Sequence, residues 1–291
     1  MQKNNTFSKI IAGTMTWGQW GKNFNTLEMT DLINFCLDLG ITSFDHADIY
    51  GGYSTEAAFG KAFTQSKAKR DQIQLITKCG IQMVDETRKN KVKYYNYSTE
   101  YIIWSAERSL LNLKTDYIDL FLLHRPSPLM QPDTIAQAVF KLLKEGKIKS
   151  FGVSNFSPAQ IALIETEIPV SGHQLEFSLT ANEALNDGSL DDCLANKRML
   201  MSWSPLGSYF KKRNEPNKRI RKVMEVLMKK YKATVDQLLL AWLLKHPAGV
   251  KPVVGTTSKE RLKASFDAVQ IELELEDWFE LLEASNGLEV A

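Results

Sequence analysis

The chain has 291 residues, 44% of them hydrophobic and 24% charged, with 36 Lys and Arg against 34 Asp and Glu. A formal charge of +2 is too small to argue for nucleic acid or an anionic membrane as a partner. No apolar run approaches the roughly 20 residues that span a bilayer.

From the N-terminus onward, short apolar, β-rich runs alternate with helical periodicity. A strand over residues 9–13 is followed by a helix over 26–39, with Thr26 as its cap and Gly40 at its end. Strands at 41–45 and 73–77 precede a helix at 98–113; a strand at 118–123 precedes a helix at 133–145, closed by Gly146. The strand at 148–153 leads to a helix at 157–165, where Ser157 caps and Pro158 takes the first position. Strands at 172–176 and 200–203, helices at 218–231 and 235–245, a strand at 251–254 and a helix at 259–268 complete the series. Several strands are apolar throughout, as in a sheet covered on both faces.

Eight strands with intervening helices predict an α/β fold, a single (β/α)8 TIM barrel spanning residues 1–291, with its site at the carboxyl ends of the strands. A doubly wound sheet is the weaker alternative, because the chain contains no G-x-G-x-x-G. Two connections are longer than the rest, 79–97 and 204–217, and both follow a strand, which sets them over the expected site face. The second carries Lys211, Lys212 and Arg213. Cys36, Cys79 and Cys193 are scattered, without metal or dithiol spacing, and read as reduced thiols. Residues 1–9 are too polar for a signal peptide, so a cytoplasmic location is expected, with a monomer as the default state.

Asp45, Lys78 and His124 end three consecutive strands, and Tyr50 lies in the turn that follows the first of them. Taken singly, each has an ordinary explanation: a turn residue, a snorkelling amine, a core imidazole, a half-buried loop phenol. Taken together, an acid, an amine, an imidazole and a phenol at neighbouring strand ends suit protonation of a developing alkoxide. In that chemistry Lys78 would lower the cost of the Tyr50 phenolate, Asp45 would hold the ammonium, and His124 would orient a carbonyl. Such a set supplies a proton but no electrons. Trp17 and Trp20, after the first strand, are candidate walls of a substrate pocket or ordinary loop packing. His46 reads as structural. No two of the four His have metal-ligand spacing, so no metal is expected.

Six segments, in order, resemble the motifs of the aldo-keto reductases: Gly13-Thr14-Met15-Thr16-Trp17-Gly18, Phe44-Asp45-His46-Ala47-Asp48-Ile49-Tyr50-Gly51-Gly52, Ile76-Thr77-Lys78, Leu122-Leu123-His124-Arg125-Pro126, Gly152-Val153-Ser154-Asn155-Phe156 and Trp203-Ser204-Pro205-Leu206-Gly207. The resemblance runs from about residue 8 to residue 270. It implies reduction of an aldehyde or ketone, a small-molecule carbonyl substrate, with NADP(H) as cofactor, bound first. Carried over by position, Tyr50 is the proton donor, with Asp45, Lys78 and His124 completing a tetrad. Ser154, Asn155 and Gln174 match the residues that bind the nicotinamide carboxamide, and Trp203 matches the aromatic stacked on its ring. Ser204, Leu206, Gly207 and Ser208 resemble the pyrophosphate loop. Gly255, Thr256, Thr257, Ser258 and Arg261 resemble the site of the adenosine 2′-phosphate, and Ser265 stands where an adenine contact is expected. The chain departs from the family at Gly255, often lysine, and Ser265, often asparagine. The phosphate site also has an independent rationale, because Thr257 or Ser258 would cap the helix that follows and leave its N–H groups facing an anion. Two rival readings use the same residues: a Schiff-base aldolase with Lys78 as nucleophile, and a non-catalytic NADP-binding regulatory protein.

Overall fold

The computed structural model describes residues 6–85 and 88–291. In chain order the elements are β1 (Ile11–Gly13), α1 (Thr26–Leu39), β2 (Ser43–Asp45), α2 (Tyr50–Tyr53), α3 (Thr55–Phe63), β3 (Gln74–Cys79), β4 (Ile81–Gln82), β5 (Tyr94–Tyr95), α4 (Thr99–Leu113), β6 (Leu120–Leu123), α5 (Pro132–Lys144), β7 (Phe151–Ser154), α6 (Pro158–Glu165), β8 (Gly172–Glu176), α7 (Ser189–Ala195), β9 (Met199–Trp203), α8 (Glu215–Tyr231), α9 (Val235–Leu244), β10 (Lys251–Val254), α10 (Lys259–Asp267) and α11 (Leu275–Asn286). Eight parallel strands close into a barrel in the order β1, β10, β9, β8, β7, β6, β3, β2, while β4 and β5 form a separate antiparallel pair. The expected (β/α)8 barrel is therefore the fold. No helix among the described residues is long and apolar enough to cross a membrane.

Several strands start later than their apolar runs. Ile41 and Ile148 are buried, and their amides donate back to the preceding helices, to Cys36 O at 2.9 Å and Leu142 O at 3.4 Å, so they finish helix ends; Ile148 also makes a single parallel bridge to Ile118. Asn25, one residue before the expected Thr26, caps α1 through a reciprocal box with Glu28. Five features lie outside the sequence expectation: α2, α3, the β4–β5 pair, α7 and α11.

Alternation along the strands divides side chains between two cores. Ile11, Ile76, Leu120, Leu122, Met201 and Val253 fill the barrel interior as one cluster. Side chains of opposite parity, such as Phe44, Leu75, Phe121 and Val153, pack under the helices. Two steps beyond the inward Ile76, Leu122 and Met201 stand Lys78, His124 and Trp203, so the inward columns end at the carboxyl face in polar or aromatic groups. Gly152 on the neighbouring β7 and Gly172 on β8 leave the adjoining wall bare, which gives Leu122 and Leu120 of β6 room inside the barrel. A Cβ at Gly152 would lie 2.4 Å from Gly172 O and 2.7 Å from Leu122 Cδ2. Because the first contact is backbone, Gly152→Ala is expected to cost about 1–3 kcal/mol, read as a lower midpoint in chemical denaturation.

Candidate active site

The turn after β2 carries Tyr50 back toward the barrel mouth. Gly51 (φ 60°, ψ 35°) and Gly52 (φ 61°, ψ 47°) take left-handed backbone, which glycine adopts without the Cβ penalty. Lys78, at 0% exposure, extends from β3 beneath this turn. Its ammonium lies 2.7 Å from Asp45 Oδ1, 2.8 Å from Asp45 Oδ2, 2.8 Å from the His46 carbonyl and 3.3 Å from Tyr50 Oη. One bifurcated N–H to the carboxylate, one to the carbonyl and one to the phenol account for all three protons of the ammonium. The Tyr50 oxygen thus accepts from Lys78 and keeps its own O–H for another acceptor. His124 meets the Tyr50 ring edge-on, with centroids 6.2 Å apart. The structure brings all four tetrad residues together.

Electrostatics assign their protonation states. Burial works against the Lys78 charge, but Asp45, followed by Tyr50, outweighs it and holds the amine above its ordinary pKa. Burial raises the Tyr50 phenol; Lys78 pulls the other way without cancelling the effect. The phenol is therefore kept protonated, the form a proton donor requires, although Lys78 does not make it more acidic than a free tyrosine. Burial, then the Lys78 charge, hold His124 well below its ordinary value, so the imidazole is neutral.

On the facing side of the mouth, Ser154 on β7 stands in register with Gln174 on β8. Asn155 follows in left-handed backbone (φ 62°); its amide donates to Ser154 Oγ at 2.7 Å and its Oδ1 accepts from Trp203 Nε1 at 2.8 Å. Gln174 Nε2 donates to Asp45 Oδ1 at 2.8 Å. The loop after β9 turns through Ser204 (φ 51°) and Gly207 (φ 54°), and Ser208 N donates to Thr180 Oγ1 at 2.8 Å. A Cβ at Gly207 would lie 2.0 Å from that Thr180 oxygen, so the loop can only close on glycine. Ser204, Gly207 and Ser208, with Lys211, Lys212 and Asn214, line a cavity of about 350 Å³. Leu206 packs inward on the helix layer.

At the start of α10, Ser258 and not Thr257 provides the cap, accepting from Arg261 N at 3.2 Å, while Thr256 Oγ1 accepts from Ser258 N. The Gly255 carbonyl is taken by Thr16 Oγ1. Arg261 projects at the surface, and the Ser265 hydroxyl is committed to the Arg261 carbonyl at 2.8 Å. Glu260 accepts from the Ser258 hydroxyl at 2.6 Å and sets one negative charge beside this helix start.

The two tryptophans separate. Trp20 is 42% exposed, with its ring 6.2 Å from that of Tyr50, and flanks the mouth. Trp17 is wholly buried against Phe44 and Phe59, so it cannot wall a substrate pocket; the core beneath the first loop claims it. His46 is structural through its ring, sharing a hydrogen bond with Thr14 Oγ1, yet its carbonyl is a partner of Lys78, a backbone role that residue type does not signal. Thr180 likewise had no sequence signal. Arg125, unassigned from sequence, lies over the Trp203 ring at 5.5 Å.

A larger cavity, about 1270 Å³, lies outside the barrel mouth between α3 and α4, lined by Asp48, Glu56, Asp85, Arg88, Trp104 and Arg108 among others. Burial, then Glu56, raise the Asp48 carboxyl to about 8. That cavity contains none of Tyr50, Lys78 and His124, so size does not mark the chemistry here. Among the described residues no group of three or more His, Cys, Asp and Glu could hold a metal ion.

Residues 9–286 match the family model described as Aldo/keto reductase family. The oxidoreductase YcsN of Bacillus subtilis is 39% identical over 98% of this chain and 96% of its own length. A 6-dehydroglucose reductase of Agrobacterium fabrum is 34% identical, with both chains fully covered. Among solved structures, the thermostable aldo-keto reductase Tm1743 in complex with epalrestat superposes with a TM-score of 0.80 at 26% identity, over 98% of each chain. With the family model covering nearly the whole barrel and the tetrad gathered at its mouth, this chain belongs to the aldo/keto reductase family.

Proposed function

We propose that the protein reduces aldehyde or ketone carbonyls to alcohols with NADPH, Tyr50 donating the proton. The observation that carries this reading is the Lys78 ammonium, chelated by Asp45 and donating to Tyr50 Oη at 3.3 Å. NADPH, when bound, supplies the hydride that the protein side chains cannot. The donors present suit it. Ser154, Asn155 and Gln174 offer hydroxyl and amide groups for a carboxamide, and Trp203 a face for its ring. Ser204, Leu206, Gly207 and Ser208 offer loop backbone beside Lys211 and Lys212 for a pyrophosphate. Residues 255–258, with the free N–H groups of α10 and the Arg261 guanidinium, suit a 2′-phosphate and so NADP over NAD. Ser265 has committed its hydroxyl proton to the Arg261 carbonyl, so toward an adenine it can act only as a hydrogen-bond acceptor or through its carbon surface.

In the reaction, a substrate carbonyl oxygen accepts the Tyr50 O–H, and neutral His124 orients that oxygen by hydrogen bonding. Lys78 stabilises the phenolate left behind, while Asp45 keeps Lys78 charged. This electrostatic arrangement opposes the Schiff-base reading, which needs an unprotonated amine. The non-catalytic reading is decided by turnover.

Three outcomes are expected. Tyr50→Phe loses about 100- to 10,000-fold in kcat, followed as NADPH consumption against a panel of aldehydes, ketones and sugars, while NADPH binding stays within a few-fold; unchanged turnover would remove Tyr50 as the acid. Lys78→Met leaves Asp45 as an unpaired buried charge and costs about 3–5 kcal/mol in denaturant unfolding, whereas D45N combined with K78M recovers much of that loss. Because the His124 pKa is depressed, its neutral form persists as the pH falls through 6.5, the ordinary histidine value, so kcat/KM should show no acid limb there.

A further inference from the structure

Asp45 and Gln174 face each other across the barrel: β1, β10 and β9 separate their strands on one side, and β3, β6 and β7 on the other. Each is 2% exposed, and the 2.8 Å bond from Gln174 Nε2 to Asp45 Oδ1 spans the interior of the cylinder. The same nitrogen lies 3.8 Å from Met201 Sδ, and Gln174 Oε1 has no hydrogen bond among the described residues. The acceptor is a carboxylate that also chelates Lys78, so this bond is of the charge-assisted kind. Its geometric effect is specific. Rotation of the Asp45 carboxylate would detach one arm of the chelate, and the Lys78 contact most easily lost is the longest of the four, the 3.3 Å bond to Tyr50 Oη.

We propose that Gln174 is a positioning residue of the proton relay. It pins Asp45 from the far wall, so that Lys78 presents its third N–H to Tyr50. This role is additional to the carboxamide contact that the family resemblance implies, which Oε1 remains free to make. One side chain would then touch the cofactor and set the acid. The inference rests on Tyr50 being the proton donor only for its catalytic consequence; the positioning itself can be read without turnover.

The test uses cofactor-free protein carrying carbon-13 tyrosine, with the Tyr50 Cζ resonance assigned by its loss in Y50F. Q174M keeps the volume of the side chain and removes the donor; the Tyr50 resonance should shift at neutral pH, and kcat should fall by about tenfold or more. In Q174E the introduced carboxyl is the same size and, when protonated, donates an O–H to Asp45. The Tyr50 resonance should therefore match the wild type at low pH and depart from it as the pH rises and the introduced carboxyl, disfavoured as an anion by burial and by the negative charge beside it, loses its proton. An unmoved Tyr50 resonance in both variants at every pH overturns the proposal, as does a pair of variants altered only in NADPH affinity measured by fluorescence titration. If the resonance moves as described while the wild type reduces no carbonyl, the positioning role stands and the proposed reaction falls.

Discussion

A lysine ammonium with no solvent exposure is the costliest feature of this barrel, and the site is organised around it. The effective penalty for burying such an ion is several kcal/mol, recovered only when geometry is good and every proton has an acceptor. Asp45, the His46 carbonyl and Tyr50 meet that condition for Lys78. Gln174 in turn occupies an oxygen of Asp45 that would otherwise carry only the ammonium. The five groups form one hydrogen-bonded network, and the phenol owes its orientation to a charge that it helps to satisfy.

The barrel makes this arrangement possible by simple alternation. Below the rim, Ile76 on β3 and Leu120 and Leu122 on β6 pack in one apolar cluster, while Gln74 at the foot of β3 accepts a hydrogen bond from Ser43 Oγ. The next inward positions, Lys78 and His124, fall at the carboxyl rim, where loops replace strands. A single ladder therefore yields an apolar cluster below and a polar rim above, and the low dielectric beneath the rim is why burial governs Tyr50 and His124, while at Lys78 Asp45 and Tyr50 outweigh it. Five left-handed residues stand at the same rim: Gly51, Gly52, Asn155, Ser204 and Gly207. Their loops turn sharply enough to aim side chains back over the barrel axis.

Much of this was legible in the sequence, and the misses have physical causes. Strand positions followed from apolar, β-branched runs, and the tetrad followed from residues ending consecutive runs. Trp17 and Trp20 show the limit: three residues apart in one loop, one lies in the core and the other at the mouth, decided by Phe44 and Phe59 from other elements. In α8 helical geometry buries Ile220, Met224 and Leu227 and leaves the equally apolar Val226 63% exposed, a division that residue type does not signal. Helix α3 was missed in part because Gly60 interrupts it; a Cβ there would lie 2.0 Å from Asn112 O, so the glycine serves close packing on α4. The strands of β4 and β5 are two residues each, too short to show a period. The bond from Gln174 to Asp45 joins residues 129 apart, a distance that no local pattern crosses.

The electrostatic core of this account is a buried amine that stays charged because Asp45 and Tyr50 outweigh the cost of burial. Nitrogen-15 NMR of Lys78 Nζ in the cofactor-free protein, assigned by its loss in K78M and followed through the alkaline range, measures this directly. The expected result is an ammonium signal that persists above pH 10.5, the ordinary lysine value. Titration of Lys78 well below that value, as burial alone would dictate, would contradict it.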